Sequence, residues 1–140
     1  MIRFTVATVC YNASSTLRRT LQSVVTQDYP HIEHLIIDGA SKDDTAQLVQ
    51  QYLALYEGIE DGRTLVFRSE PDKGLYDAMN KALLQANGDY ILFLNAGDKF
   101  HTSTTLSDIA AQLSASSDRN TLPAVLYGDT HLVDDNGTFL

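Results

Sequence analysis

Residues 34–45 read HLIIDGASKDDT. His34 to Asp38 is a short, almost unbroken apolar run, the pattern of a strand covered on both faces. The run breaks at Gly39, and Asp43 and Asp44 then favour a helix start by capping and through the helix dipole. A strand that ends in a polar loop opening a helix is one unit of an α/β fold, and the unit recurs on both sides. Upstream, Phe4 to Val9 is β-rich, and Ser14 or Ser15 can cap a helix to about Gln27, with Leu17, Leu21, Val24 and Val25 on one face. Tyr29-Pro30 closes it. Downstream come a helix with Leu48, Val49, Tyr52, Leu53 and Leu55, a loop from Glu57 to Arg63 and a strand from Leu65 to Phe67. A turn from Pro71 to Gly74 leads to a helix near Tyr76 to Ala86, stopped by Asn87-Gly88. A strand at Tyr90 to Leu94, a loop at Asn95 to Lys99 and a helix at Thr102 to Leu113 follow. Ser114 to Thr121 reads as a polar loop and Val125 to Tyr127 as a fifth strand.

This alternation predicts an α/β domain, a Rossmann-like and mainly parallel sheet with helices on both faces. Ligands of such folds bind beyond the carboxyl ends of the strands. The loops after Val9, Ile37, Phe67 and Leu94 should therefore converge. They carry Tyr11-Asn12, Asp38-Gly39-Ala40-Ser41, Glu70-Pro71-Asp72-Lys73-Gly74 and Asn95-Ala96-Gly97-Asp98. At the end of the chain, Asn136-Gly137 signals a turn between two strand-like pieces. Thr138-Phe139-Leu140 opens a strand with nothing after it, which predicts a chain cut off before a second half.

Bulk properties narrow the function. The 140 residues are 44% hydrophobic with a formal net charge of -8, which fits a single domain and argues against a nucleic-acid backbone as partner. The lone Cys10 excludes an internal disulfide and suits a reducing compartment. No apolar run approaches the roughly 20 residues that cross a bilayer, and the first residues lack a signal-peptide pattern. Neither G-x-x-x-x-G-K-[ST] nor G-x-G-x-x-G occurs, and Tyr11-Asn12 stands where a receiver domain needs an acidic pair. His31, His34, His101 and His131 lack zinc spacing, and His31 and His34 read as partly exposed residues flanking a strand start.

Two long stretches carry a resemblance. TVATVCYNASSTLRRTLQSVVTQDYPHIEHLIIDGASKDDT and SEPDKGLYDAMNKALLQANGDYILFLNAGDKF together resemble the family-two glycosyltransferases of bacterial cell-surface polysaccharide biosynthesis. The resemblance implies a GT-A fold of which this chain, residues 1–140, is the nucleotide-sugar-binding part. It implies inverting transfer of a sugar from a nucleotide-sugar donor, a UDP-sugar first, to a hydroxyl of a saccharide or lipid-linked saccharide acceptor. A non-catalytic nucleotide-sugar-binding fragment or a degenerate member is the alternative. The implied location is cytoplasmic, with the inner membrane face as a possible place of action.

By position, the resemblance puts Thr8, Tyr11, Asn12, Asp38 and Ser41 on the nucleotide. Asp38 would accept from N3–H of uracil, a donor that cytosine lacks at that atom. Asp43 and Thr45 complete the DGxSxDxT pattern and read as helix capping and loop support. Asp72, Gly74, Asp77, Asn80 and Asn95 would meet the sugar or ribose, and Lys81 reads as a solvated helix lysine. Asn95-Ala96-Gly97-Asp98 occupies the place of the family's Asp-rich metal motif with only Asp98 kept. One carboxylate can hold Mg²⁺ or Mn²⁺ when diphosphate oxygens and water complete the shell. No catalytic base is assigned among the downstream acids. Asp129 follows an expected strand, and Asp134 and Asp135 lie in a turn.

Overall fold

The computed structural model describes residues 1–115 and 121–140. Among them β1 (Phe4–Cys10), α1 (Leu17–Val25), β2 (Ile32–Asp38), α2 (Thr45–Glu57), β3 (Thr64–Ser69), α3 (Leu75–Gln85), β4 (Tyr90–Phe93) and α4 (Thr105–Ala115) alternate strictly. The strands form one parallel sheet in the order β3-β2-β1-β4. In register, Phe4 lies beside Ile32 and Tyr90, and Cys10 beside Asp38. All residues of the two central strands are buried, because helices cover both their faces.

The strand order decides where the helices go. Right-handed crossovers carry α1 and α2 over one face while the chain steps from β1 to β2 to β3. The return to the far side of β1 reverses direction, so α3 crosses the opposite face. There Ala78 and Ala82 pack on Ala7, Val9, Leu35 and Ile37. On the first face, Leu17 and Leu21 of α1 and Leu48 and Val49 of α2 cover Ile36. α4 joins that side through Leu106, Ala110 and Leu113 against Phe4, Val6 and Ile32. Leu17 and Leu21 are fully buried, and burying each stabilises the fold by about 2 kcal/mol.

At the amino ends of the strands Glu33 is a buried latch. It accepts from Thr5 Oγ1 at 2.6 Å and from the Asn87 backbone and side-chain amides at 2.9 Å each. Gly88 N–H closes the ring on Thr5 Oγ1 at 2.9 Å. Position 88 admits only glycine, since a Cβ there would lie 2.5 Å from the Thr5 backbone nitrogen. Burial opposes the charge of Glu33, but the bonds from Thr5 and Asn87 and the nearby Arg3 outweigh it and hold its carboxyl below the usual range.

Three expectations need correction. Val125 to Tyr127 is not a strand: Val125 and Tyr127 are exposed and pair with no strand among the described residues. Just ahead of this stretch the Tyr90 hydroxyl donates to Pro123 O at 2.6 Å, a side-chain contact and not a backbone ladder. His34 is fully buried rather than partly exposed, inside β2 and not at its edge. The polar loop at Ser114 to Thr121 begins later, since α4 continues to Ala115; residues 116–120 lie outside the described residues. The Asn136-Gly137 turn forms as expected, with Gly137 at φ 82° and Val133 bridged to Phe139 in antiparallel fashion.

Candidate functional site

The four loops at the carboxyl ends of the strands enclose an open cleft of about 990 Å³. Each contributes to the wall: Tyr11 and Asn12 from the first, Gly39 and Lys42 from the second, Asp72 and Gly74 from the third, Asn95 from the fourth.

The first two loops are clasped together. Asn12 N–H donates to Ser41 Oγ at 2.8 Å, and Lys42 N–H donates to Asn12 Oδ1 at 2.9 Å. This clasp holds Asn12 at φ 47°, a left-handed conformation that asparagine tolerates better than most residues. The next amides of the first loop continue the pattern, with Ala13 N–H on Thr45 Oγ1 at 3.0 Å and Ser14 N–H on Asp43 Oδ2 at 3.1 Å. The expected caps of α1, Ser14 and Ser15, are therefore replaced. Thr16 stands at the N-cap without a side-chain cap bond, and the amides ahead of it are satisfied by side chains from the second loop. The Thr45 hydroxyl, then the Ser14 amide, hold the Asp43 carboxyl far below the usual range.

Asp38 stands behind the wall at 0% exposure. Its Oδ2 accepts from Ser41 N–H at 3.0 Å and Ser69 Oγ at 2.7 Å. Its Oδ1 accepts from the Ser41 hydroxyl and, at 3.7 Å, from Cys10 Sγ. Four donors fill a carboxylate's lone-pair sites, so in this conformation Asp38 shapes the loop and presents nothing to the cleft. Burial, reinforced by Asp38, raises the Cys10 thiol well above its ordinary value, which leaves it unreactive. Thr8 is equally buried and bonds His34 Nε2 at 2.9 Å. Burial pushes the His34 imidazole down to about 3, so it stays neutral.

In the third loop, Asp72 Oδ1 accepts from Gly74 N–H at 2.9 Å, and the carboxylate lies over Gly39. A Cβ at position 39 would sit 2.7 Å from Asp72 Oδ2, so the glycine makes room for the acid. Asp77 accepts from Lys73 N–H at 3.0 Å, and neither it nor Asn80 lines the cleft. Lys81 is not simply solvated: Nζ pairs with Glu70 at 3.1 Å and Asp77 at 3.7 Å and bonds Pro71 O at 2.9 Å.

The fourth loop turns on one hydroxyl. Thr20 Oγ1, buried on α1, accepts from Gly97 N–H at 2.9 Å and donates to Asp98 O at 2.6 Å. Asp98 N–H closes the turn on Asn95 O at 2.9 Å. The Asp98 carboxylate is left exposed without a protein partner among the described residues, and Asn95 Oδ1 is buried with none. Both are hard oxygen donors suited to Mg²⁺ or Mn²⁺. The fit is partial, because no group of three or more His, Cys, Asp or Glu able to hold a metal occurs among the described residues. Asp98 itself lies outside the cleft lining. Asp129 follows no strand, and Asp134 is spent inside the tail turn on the Asn136 and Thr138 amides.

Of the residues expected at the site, Tyr11, Asn12, Asp72, Gly74 and Asn95 meet on the cleft. Thr8 and Asp38 are buried, and none of Thr8, Asp38, Ser41, Asp77, Asn80 and Asp98 lines the cleft. Two residues were missed. Thr20 has a legible signal, a threonine within the apolar face of α1, whereas Lys42 has none beyond its place in the second loop.

The family model for glycosyl transferase family 2 matches residues 5–136. The teichuronic acid biosynthesis glycosyltransferase TuaG of Bacillus subtilis is 39% identical over 95 residues, which cover 68% of this chain and 36% of that protein. Among solved structures, the mannosyltransferase PcManGT from Pyrobaculum calidifontis, in complex with GDP-Man and Mn²⁺, matches with a TM-score of 0.69 and 27% identity, over 84% of this chain and 33% of that one. TarS 1-349 of S. aureus, in complex with UDP-GlcNAc, gives a TM-score of 0.68 at 27% identity, over 81% of this chain and 32% of that one. The chain spans less than half the length of each of these proteins.

Proposed function

The chain belongs to glycosyl transferase family 2, and on that premise we propose that it carries the donor-binding part of an inverting glycosyltransferase of polysaccharide biosynthesis. The donor is a nucleotide sugar, a UDP-sugar first, and the acceptor a hydroxyl of a saccharide or lipid-linked saccharide. The observation that carries this reading is the convergence of four strand-end loops on one cleft whose walls are held by bonds between loops. Such a cleft binds without reorganising, which is what positioning a donor for in-line attack needs.

Tyr11 and Asn12 line the part of the wall that takes the nucleoside. Asp72, beside Gly39 and Gly74, and the unpartnered Asn95 Oδ1 are the polar groups that meet ribose and sugar hydroxyls. For Asp38 to accept N3–H of uracil, the base would take the place of the Ser69 hydroxyl at Oδ2. Otherwise Asp38 serves the site by fixing Ser41 and, through it, Asn12. Asp98 would hold a Mg²⁺ or Mn²⁺ that also binds the donor diphosphate and offsets charge on the leaving group. With one carboxylate on its turn, Asp98 would hold such an ion only weakly in the absence of nucleotide. No described carboxylate is assigned as the base that takes the acceptor proton. No helix among the described residues is long and apolar enough to cross a membrane, and the proposed place of action is the cytoplasm or the inner membrane face.

Calorimetric titration with UDP in Mn²⁺ and again in EDTA, with GDP and ADP as controls, tests this. Metal-dependent UDP binding that falls in Asp98→Ala is expected. Binding of GDP instead changes the donor class, and binding of no nucleotide by the full-length protein refutes the reading.

A further inference from the structure

We infer that Lys42 is the residue that meets the anionic diphosphate of the donor, as a positioning cation on the second loop. This rests on the donor-site reading above and extends it to a residue to which that reading gives no role. The chain has ten Lys and Arg residues against eighteen acids, so a cleft receiving a dianion needs a deliberately placed cation. Lys42 is the only Lys or Arg among the described residues that lines the cleft. Of the other cations on or beside the carboxyl-end loops, Lys81 is tied to Glu70, Asp77 and Pro71 and Arg68 NH1 to a backbone carbonyl, while Lys73 and Lys99 are exposed and lie outside the cleft lining.

The two parts of Lys42 are treated oppositely by the fold. Its backbone is fixed, with N–H on Asn12 Oδ1 at 2.9 Å, between Ser41 clamped on Asp38 and Asp43 clamped on Thr45. Its ammonium has no hydrogen bond or ion pair to any described residue, although Asp43 and Asp44 are the two residues that follow it in sequence. A rigid base with an unspent charge on a flexible stem suits a phosphate, which offers several oxygens and no fixed fork geometry. Charge-assisted bonds of this kind are about twice as strong as neutral ones. At Asp98 the protein supplies a single carboxylate for a metal, and Lys42 adds positive charge that needs no metal.

The test is a titration of UDP, UMP and uridine into the wild type, Lys42→Ala and Lys42→Arg at two salt concentrations. The inference expects Lys42→Ala to lose about tenfold in UDP affinity, to bind uridine as the wild type does, and to show a flatter salt dependence. Lys42→Arg should stay within about threefold of the wild type. Equal UDP affinity in Lys42→Ala overturns the inference while leaving the donor site standing. Parallel loss of UDP and uridine overturns it too, since Lys42 then serves the nucleoside or the loop. A wild type that binds neither UDP nor GDP fails the donor-site reading itself.

Discussion

Strand β2 carries a buried carboxylate near each end, Glu33 and Asp38, and the two ends of the sheet use them differently. Around Glu33 the polar account closes: Thr5, Asn87 and Gly88 donate and accept among themselves, and a glycine is pressed onto backbone. Around Asp38 the same device fixes Ser41 and Ser69, but the loops beyond it leave polar groups unspent. The Lys42 ammonium, the Asp98 carboxylate and Asn95 Oδ1 have no protein partner among the described residues. His34 Nδ1 and the Tyr56 hydroxyl are also buried without a partner, but only the carboxyl-end loops gather unspent groups of both charges beside a cleft. The amino end of the sheet closes on itself, and the carboxyl end is the one proposed to take the donor.

Substitutions can break this contrast. The largest effect is expected from Gly88→Ala, whose Cβ must displace the Thr5 backbone at 2.5 Å. A loss of about 4 kcal/mol in urea unfolding is expected, with nucleotide affinity of the remaining folded protein unchanged. Acid comes next. His34 stays neutral in the fold down to about 3, while an unfolded histidine protonates near ~6.5. The unfolded chain thus binds more protons below that pH, and stability falls as pH drops from about 6.5 towards 3. Glu33, held below its usual range, acts in the same direction: its contribution is complete above the unfolded value of about 4.3 and is lost as pH falls through the folded one. Between pH 7 and pH 4, His34→Gln should lose about 3 kcal/mol less than the wild type in pH-dependent urea titrations.

Gly39→Ala is the informative partner of Gly88→Ala. Its Cβ meets the end of the Asp72 side chain at 2.7 Å rather than backbone, so about 1 kcal/mol of stability is expected to go. Nucleotide affinity should fall with it, because Asp72 is pushed from its place on the wall. If affinity survives, Asp72 has no part in binding. The smallest structural effect belongs to Asp98→Ala, within about 0.5 kcal/mol of the wild type, together with loss of the manganese dependence of UDP binding. A large destabilisation there would show that the turn needs this side chain for itself.

Much of this contrast was legible in the sequence. The four strand runs and the polar loops after them placed the cleft, since apolar continuity and helix periodicity are local signals. The fifth strand failed because Val125 to Tyr127 has the composition of a strand but no ladder to join. Asp38 and Ser41 were read as nucleotide contacts, and the structure shows them also bonded to each other and to Ser69, which the sequence does not show, since a residue's type does not say which way its lone pairs are already committed. Burial of His34 and the service of Thr20 to a turn 77 residues away depend on pairings between distant segments. Such pairings exist only once the sheet is assembled.

The turn seated on Thr20 has a consequence for redesign. Gly97 N, Asp98 N, Asp98 O and Asn95 O hold it by main-chain atoms, with the Thr20 hydroxyl as the peg. The side chain at 98 plays no part in that mount, so under the proposed metal role its carboxylate could be removed or exchanged, and metal affinity changed, with the turn kept.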